Sequence, residues 1–213
     1  MKRHHPSPEV LMSYAAGSLP EAPSLLVATH LAICPECRVR AGELDALGGA
    51  MLEDLSPTKM EADALDRVMA RLDEPEPPRA PPPPADPVLP APLRAYVGRG
   101  FDAIAWKKLG RGVEEYRLPI PDADSYTTRL LRVADDREIP THGHDGDELT
   151  LVLAGGFRDG EDSYVRGDVA SADPTVSHSP VADKGGECIC LVVTEGKLRF
   201  SGLFGPLLTY FRG

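Results

Sequence analysis

The chain has 213 residues, enough for one large domain or two small ones, and its 42% hydrophobic and 26% charged residues are typical of a soluble globular protein. No apolar run approaches the roughly 20 residues of a membrane-spanning helix, and no signal core follows the first residues, so we expect a cytoplasmic protein without membrane insertion. The formal net charge of −10 argues against direct nucleic-acid binding, because phosphate contacts need clustered lysine and arginine.

Helical periodicity runs through residues 1–72. Ser7 is a cap signal for a first helix that Gly17 should end, and a second helix should begin near Pro23. A third follows a pair of cysteines, and a fourth carries an amphipathic stripe within residues 58–72. These signals predict a bundle of about four helices.

A proline-rich segment follows the helical part. Residues 73–92 contain ten prolines in twenty positions and almost no bulky apolar side chains. Proline removes a backbone donor and fixes φ, so such a run stays extended as a semi-rigid spacer. We therefore predict a helical domain at 1–72, a linker at 73–92 and a second domain at 93–213.

Strand patterns take over after the linker. Short segments rich in β-branched and aromatic residues alternate with Gly, Asp and Pro turns, which favours a sandwich or barrel. No segment in this part predicts a helix. The predicted strand segments are residues 112–120, 125–133, 148–156, 163–170 and 187–193.

A histidine and two cysteines lie close together in the segment HLAICPEC. His30 and Cys34 are four residues apart, so they share one side of a helix, and Cys37 follows after a tight turn. Structural zinc sites have four ligands, commonly two cysteines and two histidines, so a further histidine is needed. His4 and His5 are the candidates in the helical part, and either could fold back over the second helix.

A redox dithiol is the competing interpretation of the cysteine pair, but such pairs normally follow a strand in a βαβ unit, which this part does not predict. A histidine before the first helix, followed by H-x3-C-x2-C, resembles the pattern of the zinc-binding anti-sigma factors. That resemblance covers residues 1–72. It implies a zinc site made by His5, His30, Cys34 and Cys37, in a domain that binds a group IV (extracytoplasmic-function, ECF) sigma factor. A further hypothesis is a redox switch, in which oxidation of the two thiols ejects zinc.

A second set of metal-ligand residues occurs in the strand-rich part. His142 and His144 face the same side of a strand, Glu148 enters the next strand, and His178 lies further along the chain. Three imidazoles and a carboxylate suit zinc, iron or manganese. The sequence therefore predicts a second divalent metal site, with zinc as the first choice.

The spacing of this set resembles the first cupin motif, G-x5-H-x-H-x3,4-E-x6-G, from His142 to Gly155, except that Asp136 stands in place of the leading glycine. The second motif keeps the distance from Gly167 to His178 but not its proline, inner glycine and asparagine. This resemblance covers residues 93–213 and implies a cupin-like β-barrel, or jelly roll, that binds a metal.

Cys188 and Cys190 alternate along a predicted strand, so their side chains should share one face. Buried thiols are commonly inert small hydrophobes, and that interpretation stands beside a role in sensing.

The two parts together are similar to anti-sigma factors in which a zinc helical domain precedes a cupin domain. This resemblance implies a non-enzymatic heterodimer with a group IV sigma factor, which is kept from RNA polymerase and released on oxidative stress such as singlet oxygen, with the cupin as sensor. The alternative is a metal-dependent cupin enzyme, a dioxygenase or isomerase, with an accessory zinc domain.

Overall fold

The structure, a computed structural model, describes residues 3–72, 74–76, 85–98, 100–120 and 125–200. The described part begins with helices and continues as a β-rich unit. Its α-helices are α1 (Pro8–Ala15), α2 (Glu21–Ile33), α3 (Pro35–Glu53), α4 (Ala64–Leu72) and α5 (Ala91–Val97). A one-turn 3-10 helix follows at Phe101–Ala103.

The expectation of about four helices is wrong, because the described residues contain a fifth one, α5, where the sequence predicted the end of the linker and no helix beyond it. Proline is tolerated in the first turn of a helix, so Pro92 does not prevent it. Leu93 and Val97 are buried one turn apart and hold α5 in the core. Of the predicted linker, residues 73 and 77–84 lie outside the described residues, whereas Leu89 is fully buried.

The strands of the described residues form three antiparallel sheets. The largest has the order β1-β2-β3-β10-β5-β8, and the smaller ones have the orders β7-β6-β9 and β11-β4. The strands are β1 (Lys107–Gly110), β2 (Val113–Arg117), β3 (Tyr126–Val133), β4 (His142–His144), β5 (Glu148–Ala154), β6 (Gly156–Asp159), β7 (Asp162–Val165), β8 (Val169–Ala172), β9 (Val181–Ala182), β10 (Cys188–Glu195) and β11 (Leu198–Phe200).

The predicted closed barrel is therefore wrong for the part of the chain described. Strands β4 and β11 form a separate two-stranded sheet, and β6, β7 and β9 form another, so no continuous hydrogen-bonded ladder closes around the described unit. Isolated bridges join His142 of β4 to His178 and Val181 of β9 to Glu138. The described strands still form a cupin-like fold of facing sheets. These sheets are joined by packed side chains rather than by a continuous backbone ladder.

Strand β10 is buried on both faces, which explains its unbroken apolar sequence. Ile189 and Leu191 alternate with Cys188 and Cys190, so the strand contributes to two cores. One core lies between the sheets. The other is covered by helices, and it includes residues of α2 and α5.

Helix α2 joins the two units because it is apolar on two sides. Ala22, Leu25 and Leu26 pack in the core of the large sheet, whereas Val27 packs with Leu11 in a smaller helical cluster. In contrast, α4 has no buried residue. Within the described residues, no helix has both the length and the apolar character required to span a bilayer.

Candidate metal centres and an exposed apolar face

The first candidate metal centre lies where α2 ends and α3 begins. Cys34 adopts an extended conformation between the two helices, and its sulfur accepts a hydrogen bond from the Cys37 amide at 3.5 Å. This turn brings Cys37 back toward the helix that carries His30. His5 completes the group, with Nδ1 3.5 Å from Cys34 Sγ and 3.3 Å from Cys37 Sγ, and the four ligand atoms all lie within 4.8 Å of one another.

The electrostatics of this group suit a metal better than a free set of polar side chains. His30 is fully buried, and neither of its ring nitrogens has a hydrogen bond of normal geometry. Burial lowers the pKa of His30 to about 4, so its imidazole is neutral, as a ligand must be. Burial and the neighbouring Cys34 thiol raise the pKa of Cys37 to about 12, and a bound cation would displace that proton.

The structure separates the two candidate histidines. His5 directs Nδ1 at the sulfurs and Nε2 at the Glu36 carboxylate, 3.4 Å away, an arrangement typical of metal-binding histidines. The His4 ring instead lies on Tyr164, with 4.4 Å between ring centroids. The geometry therefore brings His5, and not His4, together with His30, Cys34 and Cys37.

The second candidate metal centre is built on β4 and the start of β5. His142 and His144 lie two residues apart on β4, and the His178 backbone pairs with that of His142 through hydrogen bonds of 3.0 and 2.9 Å. Glu148 begins β5, with Oε2 3.3 Å from His144 Nε2 and Oε1 3.8 Å from His178 Nε2. The four ligand atoms lie within 4.8 Å of one another.

Hydrogen bonds outside this group fix the orientation of its members. The ring Nδ1 of His178 is 2.6 Å from Asp159 Oδ2, and that of His142 is 2.8 Å from the Pro140 carbonyl, so each ring can present Nε2. The Thr194 hydroxyl donates to Glu148 at 2.7 Å. Sequence reasoning missed Asp159 and Thr194, because neither belongs to a spacing motif and both approach only through sheet pairing.

The carboxylate of Glu148 is held ionised. Burial acts to raise its pKa, but hydrogen bonds and charge from His144, together with Thr194, lower it to about 2. Burial also opposes protonation of His178, yet the Asp159 carboxylate outweighs it and raises the pKa of that imidazole. The group thus combines an anionic oxygen with imidazoles, which suits zinc, iron or manganese.

A buried ionic network is connected to Glu148 through Thr194. The Arg129 guanidinium donates to Thr194 Oγ1 at 3.4 Å and lies 4.0 Å from Glu115, a carboxylate only 1% exposed. Arg117 is 3.4 Å from the same carboxylate. The network supports Thr194, the hydrogen-bond donor to Glu148, because Arg129 is nearly fully buried and cannot exchange its partners for water.

A cavity of about 470 Å³ opens beside the second metal centre. Both Cys188 and Cys190 line it, as their predicted common face implies, and their sulfurs are 3.5 Å apart as free thiols. The hydrogen bond from Cys188 and burial raise the pKa of Cys190 well above its usual value. The wall is otherwise mostly apolar, with Leu131, Val133, Ile139, Phe157, Tyr164, Val176 and Val192.

The end of α3, the residues that follow it and α4 expose many large apolar side chains to solvent, which together we call the exposed apolar face. Each of its side chains is between 54% and 73% exposed, and such exposure is unusual for so many large apolar residues close together in the sequence. Helix α4 is amphipathic, yet it buries none of its side chains within the described part of the chain. The members of the face are Leu47, Met51, Leu52, Leu55, Met60, Leu65, Val68, Met69 and Leu72.

Comparison with known proteins finds relatives that share both units. The chain is 46% identical to the anti-sigma-E factor ChrR of Cereibacter sphaeroides over 98% of this chain and 97% of that protein. It resembles a chain from the crystal structure of Rhodobacter sphaeroides SigE in complex with the anti-sigma ChrR, with a TM-score of 0.81 and 46% identity, over 91% of this chain and 100% of that chain.

Two family descriptions match separate parts of the sequence. The family described as "ChrR Cupin-like domain" matches residues 96–198, and the one described as "Putative zinc-finger" matches residues 9–38. The second match includes His30, Cys34 and Cys37, but it begins after His5. The first includes all four residues of the second candidate metal centre.

Proposed function

The chain belongs to the family of ChrR anti-sigma factors, and from this premise we propose that it binds a group IV (ECF) sigma factor of the SigE type and keeps it from RNA polymerase. The exposed apolar face is the observation that carries the proposal. The prediction of a regulator rather than an enzyme agrees with this family, and the alternative of a metal-dependent cupin dioxygenase or isomerase loses its support.

The exposed apolar face suits a partner with an apolar groove. Leu65, Val68 and Leu72 recur at helical spacing on α4, which is how a helix anchors in such a groove. The net charge of −10 adds electrostatic steering toward the basic surfaces of a DNA-binding protein. We expect one copy of the chain to bind one sigma factor.

The N-terminal metal centre would act as a scaffold in this function. Zn²⁺ bound by His5, His30, Cys34 and Cys37 would hold α2 against α3, and so fix the direction in which α3 presents the exposed apolar face. The full burial of His30 and the 3.3 to 3.5 Å distances from His5 Nδ1 to the sulfurs support this assignment.

The cupin-like unit would act as the sensor. A divalent metal, zinc or alternatively iron or manganese, would be held by His142, His144, Glu148 and His178. The proposed signal is oxidative stress such as singlet oxygen, with the metal centre, the cavity and the thiols of Cys188 and Cys190 as its targets. The signal would then shift the chain from a state that binds the sigma factor to one that does not, and the sigma factor would be released.

The remaining parts of the proposal concern context. We place the protein in the cytoplasm, where a sigma factor is found, without membrane attachment and without direct nucleic-acid contact. The proposed division is a helical unit at residues 1–72, a linker at 73–92 and a sensor unit at 93–213. Because α2 shares a core with the large sheet, tests of function should use the full chain.

Binding of a purified SigE-type sigma factor to the full chain tests the proposal. Aspartate at Leu65 and Val68 together should weaken binding at least about 30-fold, the loss expected when anchor residues contribute about 2 kcal/mol. Ala70→Asp is the matched control, since Ala70 lies on the polar side of α4 with Asp66 and Arg67. No binding by the unaltered chain, or equal weakening by the control, would contradict the proposal.

A further inference from the structure

The first metal centre is covered on one side by a segment of the cupin-like unit. The His4 backbone pairs with this segment: its carbonyl accepts from the Val169 amide at 2.9 Å, and its amide donates to Asp168 Oδ1 at 3.3 Å. Asp168 is only 1% exposed, and its other oxygen accepts from the Val165 amide at 3.0 Å. The residue next to His5 is thus held to the other unit by two hydrogen bonds.

The same segment touches the helix that supplies His30. Gly167 has a φ of +93°, and a Cβ at this position would lie 3.0 Å from Ile33 Cγ2 on α2. The segment therefore contacts both His4, the neighbour of His5, and the helix that carries His30.

Tyr164, at the other end of the segment, lines the cupin cavity. Its ring stacks on Phe157, with centroids 4.8 Å apart, and also contacts the His4 ring, with centroids 4.4 Å apart. A molecule or a chemical change that displaces Tyr164 would consequently move a side chain that contacts His4. The path from the cavity to the residue beside His5 consists of two aromatic contacts.

We propose that residues 164–169, here called the clamp, position the metal ligand His5 and so link the state of the cupin cavity to metal retention in the helical unit. His30, Cys34 and Cys37 lie within eight residues at the junction of α2 and α3, whereas His5 comes from the extended residues before α1. That ligand needs positioning from elsewhere, and the clamp supplies it. The inference rests on the N-terminal metal centre proposed above.

Cobalt substitution in the full chain provides the test. Co²⁺ bound by Cys34 and Cys37 gives a thiolate charge-transfer absorption, which Cys34→Ser should abolish, and its loss to a chelator reports metal release from this centre alone. Gly167→Ala would push the clamp away from Ile33 and should speed that release about tenfold, since partners outside the ligand set change metal affinity by about 10 to 100-fold.

Gly185→Ala is the matched control. Gly185 has a φ of +98°, close to that of Gly167, but nothing lies within 4 Å of its Cβ position, so it adds the same backbone strain without a contact to α2. Equal release rates for the two variants would overturn the clamp. Absence of the charge-transfer band in the unaltered chain would instead overturn the metal centre itself, so the two failures are distinguishable.

A second pair of variants tests the aromatic path without backbone strain. Tyr164→Ser removes both ring contacts and should speed cobalt release, whereas Tyr164→Phe keeps both rings in contact and should release cobalt at the unaltered rate. Trp106 fluorescence verifies that each variant is folded. Identical release by the serine and phenylalanine variants would overturn the link between the cavity and the first metal centre.

Discussion

Substitution of Leu26 by alanine removes a fully buried side chain from the core that α2 shares with the large sheet. Leu93, Leu130 and Leu151 in the same core are also fully buried, so the surrounding side chains have little freedom to fill the gap. Leucine-to-alanine changes in such places cost about 2 to 5 kcal/mol, and we expect about 4 kcal/mol here. Although Leu26 belongs to the helical unit, this loss of unfolding free energy should destabilise the cupin-like unit.

Trp106 is the only tryptophan of the chain and packs against the shared core from the β-rich side. Thermal unfolding followed by its fluorescence therefore reports the cupin-like unit. In a chain of this size, each kcal/mol of lost stability lowers the unfolding midpoint by about 2 to 4 °C. For Leu26→Ala we therefore expect the midpoint of the Trp106 transition to fall by about 10 °C.

Leu11→Ala is the matched control for this experiment. Leu11 is as well buried as Leu26, but it packs in the small helical cluster with Val27 and the cysteines rather than against the sheet. It should destabilise the helices and leave the Trp106 transition close to that of the unaltered chain. If Leu26→Ala also left the Trp106 transition unchanged, the two units would not share a core, and the reasoning would be refuted.

Three further predictions concern the metal centres and the thiols. Asp159→Asn should weaken metal binding by the cupin-like unit about 10 to 100-fold, because His178 loses its carboxylate partner at 2.6 Å. Metal content after dialysis against a chelator measures this, and an unchanged content would contradict the prediction. Burial raises the pKa of the Cys37 thiol to about 12, so zinc added to metal-free protein at pH 7 should release a proton from it, and zinc affinity should fall as the pH falls. A titration with a pH indicator that detects no proton release would contradict this prediction. Cys190 should resist alkylation until the chain unfolds, because burial and Cys188 keep it protonated; rapid labelling of the native protein would disagree.

Local patterns were sufficient to predict most individual elements. The Ser7 cap predicted the start of α1. The third helix was expected after the cysteines, but α3 begins at Pro35 and includes Cys37. Strands β2, β3, β5 and β10 fall where β-branched runs predicted them, but the predicted segment 163–170 is divided between β7 and β8, which belong to different sheets. The histidine and cysteine spacings likewise identified two groups that the structure brings together, because short-range ligand spacing on a helix or strand fixes which side chains meet.

Long-range features could not be predicted in the same way. The apolar run of Leu25, Leu26 and Val27 indicates a helix buried on two sides, but not that one side faces a sheet more than a hundred residues away in sequence. The open sheet arrangement depends on which edges pair, and the positions of Asp159 and His4 depend on that arrangement. Short α5 was missed because proline composition outweighed the pair Leu93 and Val97.

Run-off transcription by RNA polymerase holding a SigE-type sigma factor tests the central claim most directly. An equimolar amount of the full chain should suppress transcription from a promoter of that sigma factor. The variant with aspartate at Leu65 and Val68 should leave transcription active, while Ala70→Asp should suppress it like the unaltered chain. Undiminished transcription in the presence of the unaltered, metal-loaded chain would contradict the account.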